Sequence, residues 1–318
     1  MKNRHTMVQQ VQDYLSQRRA LGFALNISGQ LLMHFAEFAD HLGHRGPLTT
    51  DLMLRWVNLP EGAADRYRAG RLAIVRAFAR HLAAADSRTE VPDVRLLGPK
   101  PFRQQPHLYS DDQLRELLDA AGRLSPTYAL RPQTYRILFG LLASTGLRVS
   151  EALKLTRDHV DLVQGVLHIE RTKFRKSRLV PMHATTTRAM RRYASARDRD
   201  PALRKAAGFF VGRYGRPLPY STVRCVFRRL RQQLGWRSNG TLPRPRIHDL
   251  RHSFACRRLL QWYQQGINPH HAIAALSTYL GHGKVTDTYW YLAATAPLLA
   301  LVSERFERFA TDSTGRRG

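Results

Sequence analysis

Cysteine is nearly absent from this chain. The two present, Cys225 and Cys256, are too few and too far apart for a zinc module. With no secretory context for a disulfide, both are expected to be reduced core thiols. Acidic residues are scarce as well: 24 Asp and Glu stand against 51 Lys and Arg, giving a net charge of +27 and an isoelectric point near 11.2. Such a field attracts polyanions, of which nucleic acid is the commonest and an acidic membrane surface the rival. No apolar run approaches the roughly 18 residues of a membrane span, and no signal-peptide pattern is present, so a cytoplasmic location without a membrane partner is expected. Internal repeats and low-complexity segments are also missing. A hydrophobic content of 43% and a mean hydropathy of −0.40, over 318 residues, describe a water-soluble chain long enough for two cores.

The basic charge is unevenly placed. Residues 1–95 hold 13 basic and 9 acidic side chains, a net of +4, and the remainder holds 38 and 15, a net of +23. The first part reads as helices. Val8, Val11 and Leu15 recur at helical spacing, as do Leu31, Phe35, Phe38 and Leu42 before Gly43 and the Gly46-Pro47 break. A shorter helix is expected from Asp51 to Val57, stopped at Leu59-Pro60, and a longer one through Tyr67, Ile74, Val75, Phe78 and Leu82 completes a four-helix unit. Arg18, Arg19, Arg66, Arg68, Arg71 and Arg76 fall between the apolar positions, either as a solvated face or as a surface that tracks phosphates; Arg71 and Arg76 are the candidate DNA contacts among them. The helical pattern then lapses, and Pro92, Pro99, Pro101 and Pro106 mark a linker over 91–106.

Order returns at Ser110, where Ser-Asp-Asp-Gln makes a capping box that opens a helix through Leu114, Leu117 and Leu118. Ile137, Leu138, Leu141 and Leu142 predict a buried helix ending at Gly146, a residue suited to a helix C-terminus. Arg148 follows in a tight turn, with Ser150 available to cap the next short helix. Between Val160 and Met182 the apolar period falls to two, so Val166–Ile169 and Arg178–Val180 read as strands around a turn bearing Lys173, Arg175 and Lys176. Residues 184–235 return to helix, interrupted by the Gly212–Pro219 turn. The expected fold is mainly α with a small antiparallel β-sheet.

The chemistry-bearing residues concentrate between Arg246 and Tyr291. His248 and Arg251 lie three apart, so on a helix or its first turn they share a face and can address one phosphate. A guanidinium matches the non-bridging oxygens of a phosphate bidentately, imidazoles donate further hydrogen bonds, and a phenol hydroxyl nearby is a candidate nucleophile. Leu280-Gly281-His282 and Tyr291 supply the last two groups. This is an inventory for phosphoryl transfer with no carboxylate cluster. Taken singly, each residue has an ordinary reading: His-x-x-Arg recurs by chance, a basic hairpin tip is commonly just solvated, an arginine in a turn commonly caps a helix, and a tyrosine near a C-terminus commonly packs. His248 and His252 also make a His-x-x-x-His pair suited to zinc, but Asp249 stands where metallopeptidases place Glu, so neither metal nor cofactor is expected.

Joint order changes the weighing. With Thr-Gly-Leu-Arg-Val-Ser-Glu-Ala from Thr145, the hairpin lysine, His-Asp-Leu-Arg-His from His248, Leu-Gly-His from Leu280 and Tyr291, the chain resembles the tyrosine recombinases, or phage-integrase family. The tail motif Val-Thr-Asp-Thr-Tyr-Trp-Tyr-Leu looks most like transposon-borne members. The resemblance covers roughly residues 105–310 by motif and 1–90 by likeness to the family's helical core-binding domain. It implies a SAM-like, DNA-binding helical domain over 1–90, a linker over 91–106, and an α+β catalytic domain over 107–318. A tail helix through Leu298, Leu299, Val302, Phe306 and Phe309 would dock on a neighbouring protomer, in a homo- or hetero-tetramer on double-stranded DNA, or pack in cis. The implied catalytic set is Arg148, Lys173, His248, Arg251, His282 and Tyr291, with Arg175, Lys176 and Arg178 contacting DNA. In this scheme Tyr291 attacks the scissile phosphate to give a 3′-phosphotyrosyl link, His248 is the candidate base, and Lys173 protonates the departing 5′-oxygen. Arg148 and Arg251 neutralise the non-bridging oxygens, and His282 adds a hydrogen bond to them. Tyr289 offers a rival register, but the family's usual interval of nine residues from the Leu-Gly-His histidine selects Tyr291, and Tyr279 suits a packing role. The implied function is a metal-independent, site-specific recombinase or integrase of a mobile element. A type IB topoisomerase would share the chemistry without the tail helix, and a silent DNA-binding accessory protein would lack a catalytic position; none is missing.

Overall fold

The computed structural model describes residues 6–98, 105–126, 128, 130–170, 177–237, 244–281, 284–286 and 288–289. The chain divides into two compact units, Met1–Arg103 and Gln104–Gly318.

The first unit contains α1 (Met7–Ala20), α2 (Asn26–His41), α3 (Thr50–Asn58) and α4 (Asp65–Ala83). Thr6 and Gln9 form a reciprocal capping box at the start of α1, and the Asp40 carboxylate accepts the N–H groups of Met7 and Val8 at 3.0 Å each. The unpartnered donors of α1 are thereby satisfied, and α1 is tied to α2. Val11, Phe35, Met53, Val57, Val75 and Phe78 are wholly buried, each burial contributing about 1.5–3 kcal/mol. Leu42 departs from the expected stripe: it is the C-terminal cap of α2 and is exposed. Arg71 departs further. It is 8% exposed, its guanidinium donates to the Trp56 carbonyl at 2.7 Å and lies 3.6 Å from the centre of the Trp56 ring. This arginine joins α4 to α3, with its guanidinium engaged inside the unit and little of it facing solvent. Arg76 is partly exposed on α4.

The second unit packs around α6 (Arg131–Thr145), whose Tyr135, Leu138, Phe139, Leu141 and Leu142 are all buried. Against it lie α5 (Asp111–Gly122), α8 (Ala184–Asp198) and α11 (Asp249–Gln264). The Ser110–Gln113 capping box is formed as expected. Strands β1 (Val160–Asp161), β2 (Val166–Ile169) and β3 (Arg178–Pro181) make an antiparallel sheet in that order, with Ile169 opposite Arg178 and Val166 opposite Pro181. Leu167, Ile169 and Val180 face the core while His168 and Leu179 face out, the alternation that the period of two demands. Among the described residues the unit also has α7 (Val149–Leu153), α9 (Pro201–Arg204) and α10 (Tyr220–Gln233), and α12 (Pro269–Leu280) after α11.

Two expectations need correcting. Helix does not run on from 184 toward the 212–219 turn: α8 ends at Asp198, and beyond α9 the segment Phe209–Val211 is buried without being helical, held by bridges Thr156 to Gly208 and Val211 to Pro217. Glycines at 208 and 212 break helical continuation on both sides of this apolar run. Cys256 is buried but Cys225 is exposed, because α10 turns Val223, Val226, Phe227 and Leu230 inward and Cys225 falls on the opposite side. Among the described residues no helix is long and apolar enough to cross a membrane.

Candidate active site

Helix α6 ends where the site begins. Gly146 takes the left-handed conformation at φ 64°, which lets its N–H donate to Leu142 O while the chain reverses. An added Cβ there would stand 2.5 Å from Phe254, so the turn packs too tightly for any side chain. Leu147 is buried and pins the turn, and Arg148 follows at the N-terminal cap of α7. The cap is not the Ser150 expected from sequence. Glu151 supplies it, its carboxylate accepting the Arg148 N–H at 3.0 Å and the Arg148 guanidinium at 2.7 Å.

The start of α11 is built by a second carboxylate. Asp249 is wholly buried and accepts the backbone N–H of Arg246 at 2.9 Å and its guanidinium at 2.8 Å. This closes the 246–249 turn and places His248 at the helix start with Arg251 one turn on. The segment before α5 straps across the same helix: the Tyr109 N–H donates to Ser253 Oγ at 2.9 Å, and the Tyr109 hydroxyl donates to Arg246 O at 2.9 Å. Arg251 is 2% exposed and donates to Gly146 O and Leu280 O, both at 2.8 Å, joining the end of α6 to the end of α12. Arg148 in turn donates to Gly281 O at 3.1 Å. Two cations from separate helices therefore meet at one place.

Burial and neighbouring positive charge both lower the titration of His248. Crowding by surrounding atoms is the largest cause, followed by the charge of Arg251, with Arg246 and Arg148 adding to it and Asp249 opposing; together they push the imidazole down to about 4. The ring keeps an exposed face, so solvent screens part of this shift. At neutral pH His248 is uncharged and can accept a proton. Its ring meets that of His252 edge to face at 4.8 Å. Burial alone would raise the Glu151 carboxyl, but hydrogen bonds and charge from Arg178, then Arg148, hold it below the usual carboxylate range. Burial pushes Tyr279 up to about 12, and its ring stacks on Phe254 at 5.6 Å, a packing residue.

A family model described as Phage integrase family matches residues 108–296, more than half of the chain. The chain belongs to the phage integrase family. Over 315 residues this integrase-family chain is 41% identical to the Sinorhizobium fredii protein y4rB, whose name assigns it to the integrases/recombinases, covering 97% of this chain and 99% of that one. It is 33% identical over 249 residues to tyrosine recombinase XerC of Azotobacter vinelandii, covering 77% of this chain and 75% of that one. Among solved structures, the Tn1549 transposon integrase in complex with transposon right-end DNA is similar in fold, with a TM-score of 0.70 at 18% identity over 96% of this chain and 100% of that one. The XerH site-specific recombinase bound to palindromic difH substrate gives a TM-score of 0.64 at 17% identity, over 94% of this chain and 85% of that one.

Of the residues that sequence singles out in this integrase-family chain, the structure brings Arg148, His248 and Arg251 together. Lys173, Arg175, Lys176, His282, Tyr291 and the tail helix lie outside the described residues. Arg178 is described. Its side chain is 10% exposed, and its guanidinium donates to Glu151 at 2.8 and 3.2 Å and to Tyr279 O at 2.7 Å. All of these donors are thus turned to Glu151 and the end of α12, away from solvent. Sequence reading missed Glu151 and Asp249, although each sits three residues after the arginine it pairs with, the signature of a helix N-terminal cap. Among the described residues no group of three or more His, Cys, Asp or Glu is arranged to hold a metal ion.

Proposed function

We propose that this chain is a site-specific DNA recombinase that cuts and rejoins strands through a 3′-phosphotyrosyl intermediate, without a metal ion, for a mobile element. The observation that carries the reading is the convergence of Arg148 and Arg251 beside an uncharged His248, at the turn that leads into position 282. Two guanidinium groups supply the charge that a phosphorane-like transition state needs on its non-bridging oxygens. Tyr291 is the nucleophile. Its phenol, with a pKa of about 10 when free, passes its proton to His248 as its oxygen bonds to phosphorus. The bond from phosphorus to the 5′-oxygen breaks, and Lys173 gives that oxygen a proton, leaving a free 5′-hydroxyl. His282 adds a hydrogen bond to the same phosphate. Attack by a 5′-hydroxyl on the phosphotyrosine runs these steps backwards and reseals DNA, so no external energy is consumed.

Double-stranded DNA as the partner is supported by the +27 charge and by the DNA complexes of the Tn1549 integrase and XerH. Residues 1–90 take the role of a core-binding domain, residues 91–106 that of a linker, and the tail helix that of a link between protomers in a tetramer. The test is adduct trapping on a nicked substrate carrying the element's own ends, read on a denaturing gel in the presence of EDTA. Wild type and Tyr289→Phe should form the covalent adduct, and Tyr291→Phe should bind DNA without forming it. An adduct from Tyr291→Phe, or activity that returns only with added magnesium or zinc, would overturn the reading.

A further inference from the structure

Three arginines meet the last turn of α12. Arg178 Nε donates to Tyr279 O at 2.7 Å, Arg251 to Leu280 O at 2.8 Å and Arg148 to Gly281 O at 3.1 Å. The final carbonyls of a helix have no partner within it and carry the negative end of its dipole, so cations are stabilised there. Two of the three belong to the phosphate site proposed above. Arg178 has another set of partners: both of its terminal nitrogens donate to Glu151, the carboxylate that also holds the Arg148 backbone and guanidinium. Its Nη1 stands 2.8 Å from where a Cβ on Gly281 would lie, so a larger residue at 281 would have to push the guanidinium from its place between Glu151 and α12.

We propose that Arg178 is a positioning residue for strand cleavage, acting through Glu151 and the Tyr279 carbonyl to hold the Arg148 guanidinium at the reacting phosphate. The inference rests on the assignment of Arg148 to that phosphate. With Arg178 in place, Glu151 divides its two oxygens between two guanidinium groups. Without it, the buried carboxylate has Arg148 as its remaining cation, and draws that side chain toward itself and away from a bound phosphate. The turn at 279–281 loses one of its three ties at the same moment. Lysine is no substitute, because a single ammonium cannot span two carboxylate oxygens and a carbonyl as a planar fork does. A displacement of the order of 1 Å in a group that stabilises the transition state costs about 10²-fold in rate.

The test uses the full chain carrying Arg178→Met or Arg178→Lys, with Arg148→Ala as reference. DNA affinity is measured by titration, and single-turnover adduct formation is measured on nicked substrates with either an ordinary scissile phosphate or a neutral methylphosphonate in its place. Both Arg178 variants should bind DNA within about twofold of wild type and form adduct about 10- to 10²-fold more slowly on the phosphate. On the neutral link, which has one non-bridging charge fewer for Arg148 to balance, most of that deficit should disappear, as it should for Arg148→Ala. If Arg178→Met fails to fold, Arg178→Lys, which keeps the stem and the charge, carries the test. An equal deficit on both links would overturn the inference, since a general loss of structure does not distinguish them. So would full-rate cleavage at saturating DNA with weakened binding, which would make Arg178 a DNA contact. If Arg148→Ala itself gains nothing on the neutral link, the assignment of Arg148 falls and takes the inference with it.

Discussion

Replacing Gly146 by alanine separates backbone strain from packing at the centre of the site. Gly146 sits at φ +64°, and an alanine there pays about 1–2 kcal/mol for the left-handed conformation. Its Cβ would also meet Phe254 at 2.5 Å and Leu280 at 3.1 Å, from α11 and α12 respectively. Overpacking a closed site costs about 1–3 kcal/mol, so the total is about 2–5 kcal/mol. Gly266 provides a matched control, since it has φ +78° at the end of α11 with nothing within 4 Å of an added Cβ. Gly266→Ala should therefore carry the strain alone. For a unit of about 200 residues each kcal/mol moves Tm by about 2–4 °C, so Gly146→Ala should melt about 2–12 °C below Gly266→Ala by calorimetry. It should also slow adduct formation, because Gly146 O is the acceptor that fixes Arg251. Melting of the two variants within 1 °C of each other would refute the packing argument.

Three further outcomes are expected. The imidazole of His248, followed by NMR in the absence of DNA, should titrate well below 6.5, toward about 4. Because folding favours the neutral ring, its contribution to stability is fully present above pH 6.5 and is lost as pH falls toward 4, and an ordinary midpoint near 6.5 would refute the depression by burial and the neighbouring arginines. Arg71→Met should destabilise the first unit by about 1–3 kcal/mol in urea unfolding, since the Trp56 carbonyl and ring lose their buried cation, while leaving the salt dependence of DNA binding unchanged. A salt slope reduced by about one unit would instead make Arg71 a phosphate contact. Lys173→Ala should lose about 10²- to 10⁴-fold in cleavage rate and regain it on a substrate with sulfur at the bridging 5′ position, a leaving group that needs no acid. Arg148→Ala and Arg251→Ala should gain nothing from that sulfur, and rescue of Lys176→Ala in place of Lys173→Ala would shift the general acid by three residues.

Much of the fold is legible because local rules set it. Helix periodicity in residues 7–85, the Ser110 capping box, the glycine stop at 146 and the alternation around Leu167 and Val180 all involve partners a few residues apart, and the structure repeats them. The order of arginine, histidine and tyrosine groups was sufficient to indicate the family, since it records chemistry and not packing. The fate of individual arginines was not legible. Sequence shows that Arg71 and Arg178 are charged and that Glu151 follows Arg148, but Arg178 finds Glu151 across 27 residues and Tyr279 across 101, and Arg251 finds Gly146 across 105. Whether a guanidinium faces solvent, a phosphate or a carbonyl depends on which helix ends the chain leaves unsatisfied beside it. That is decided only when α6, α7, β3 and α12 come together.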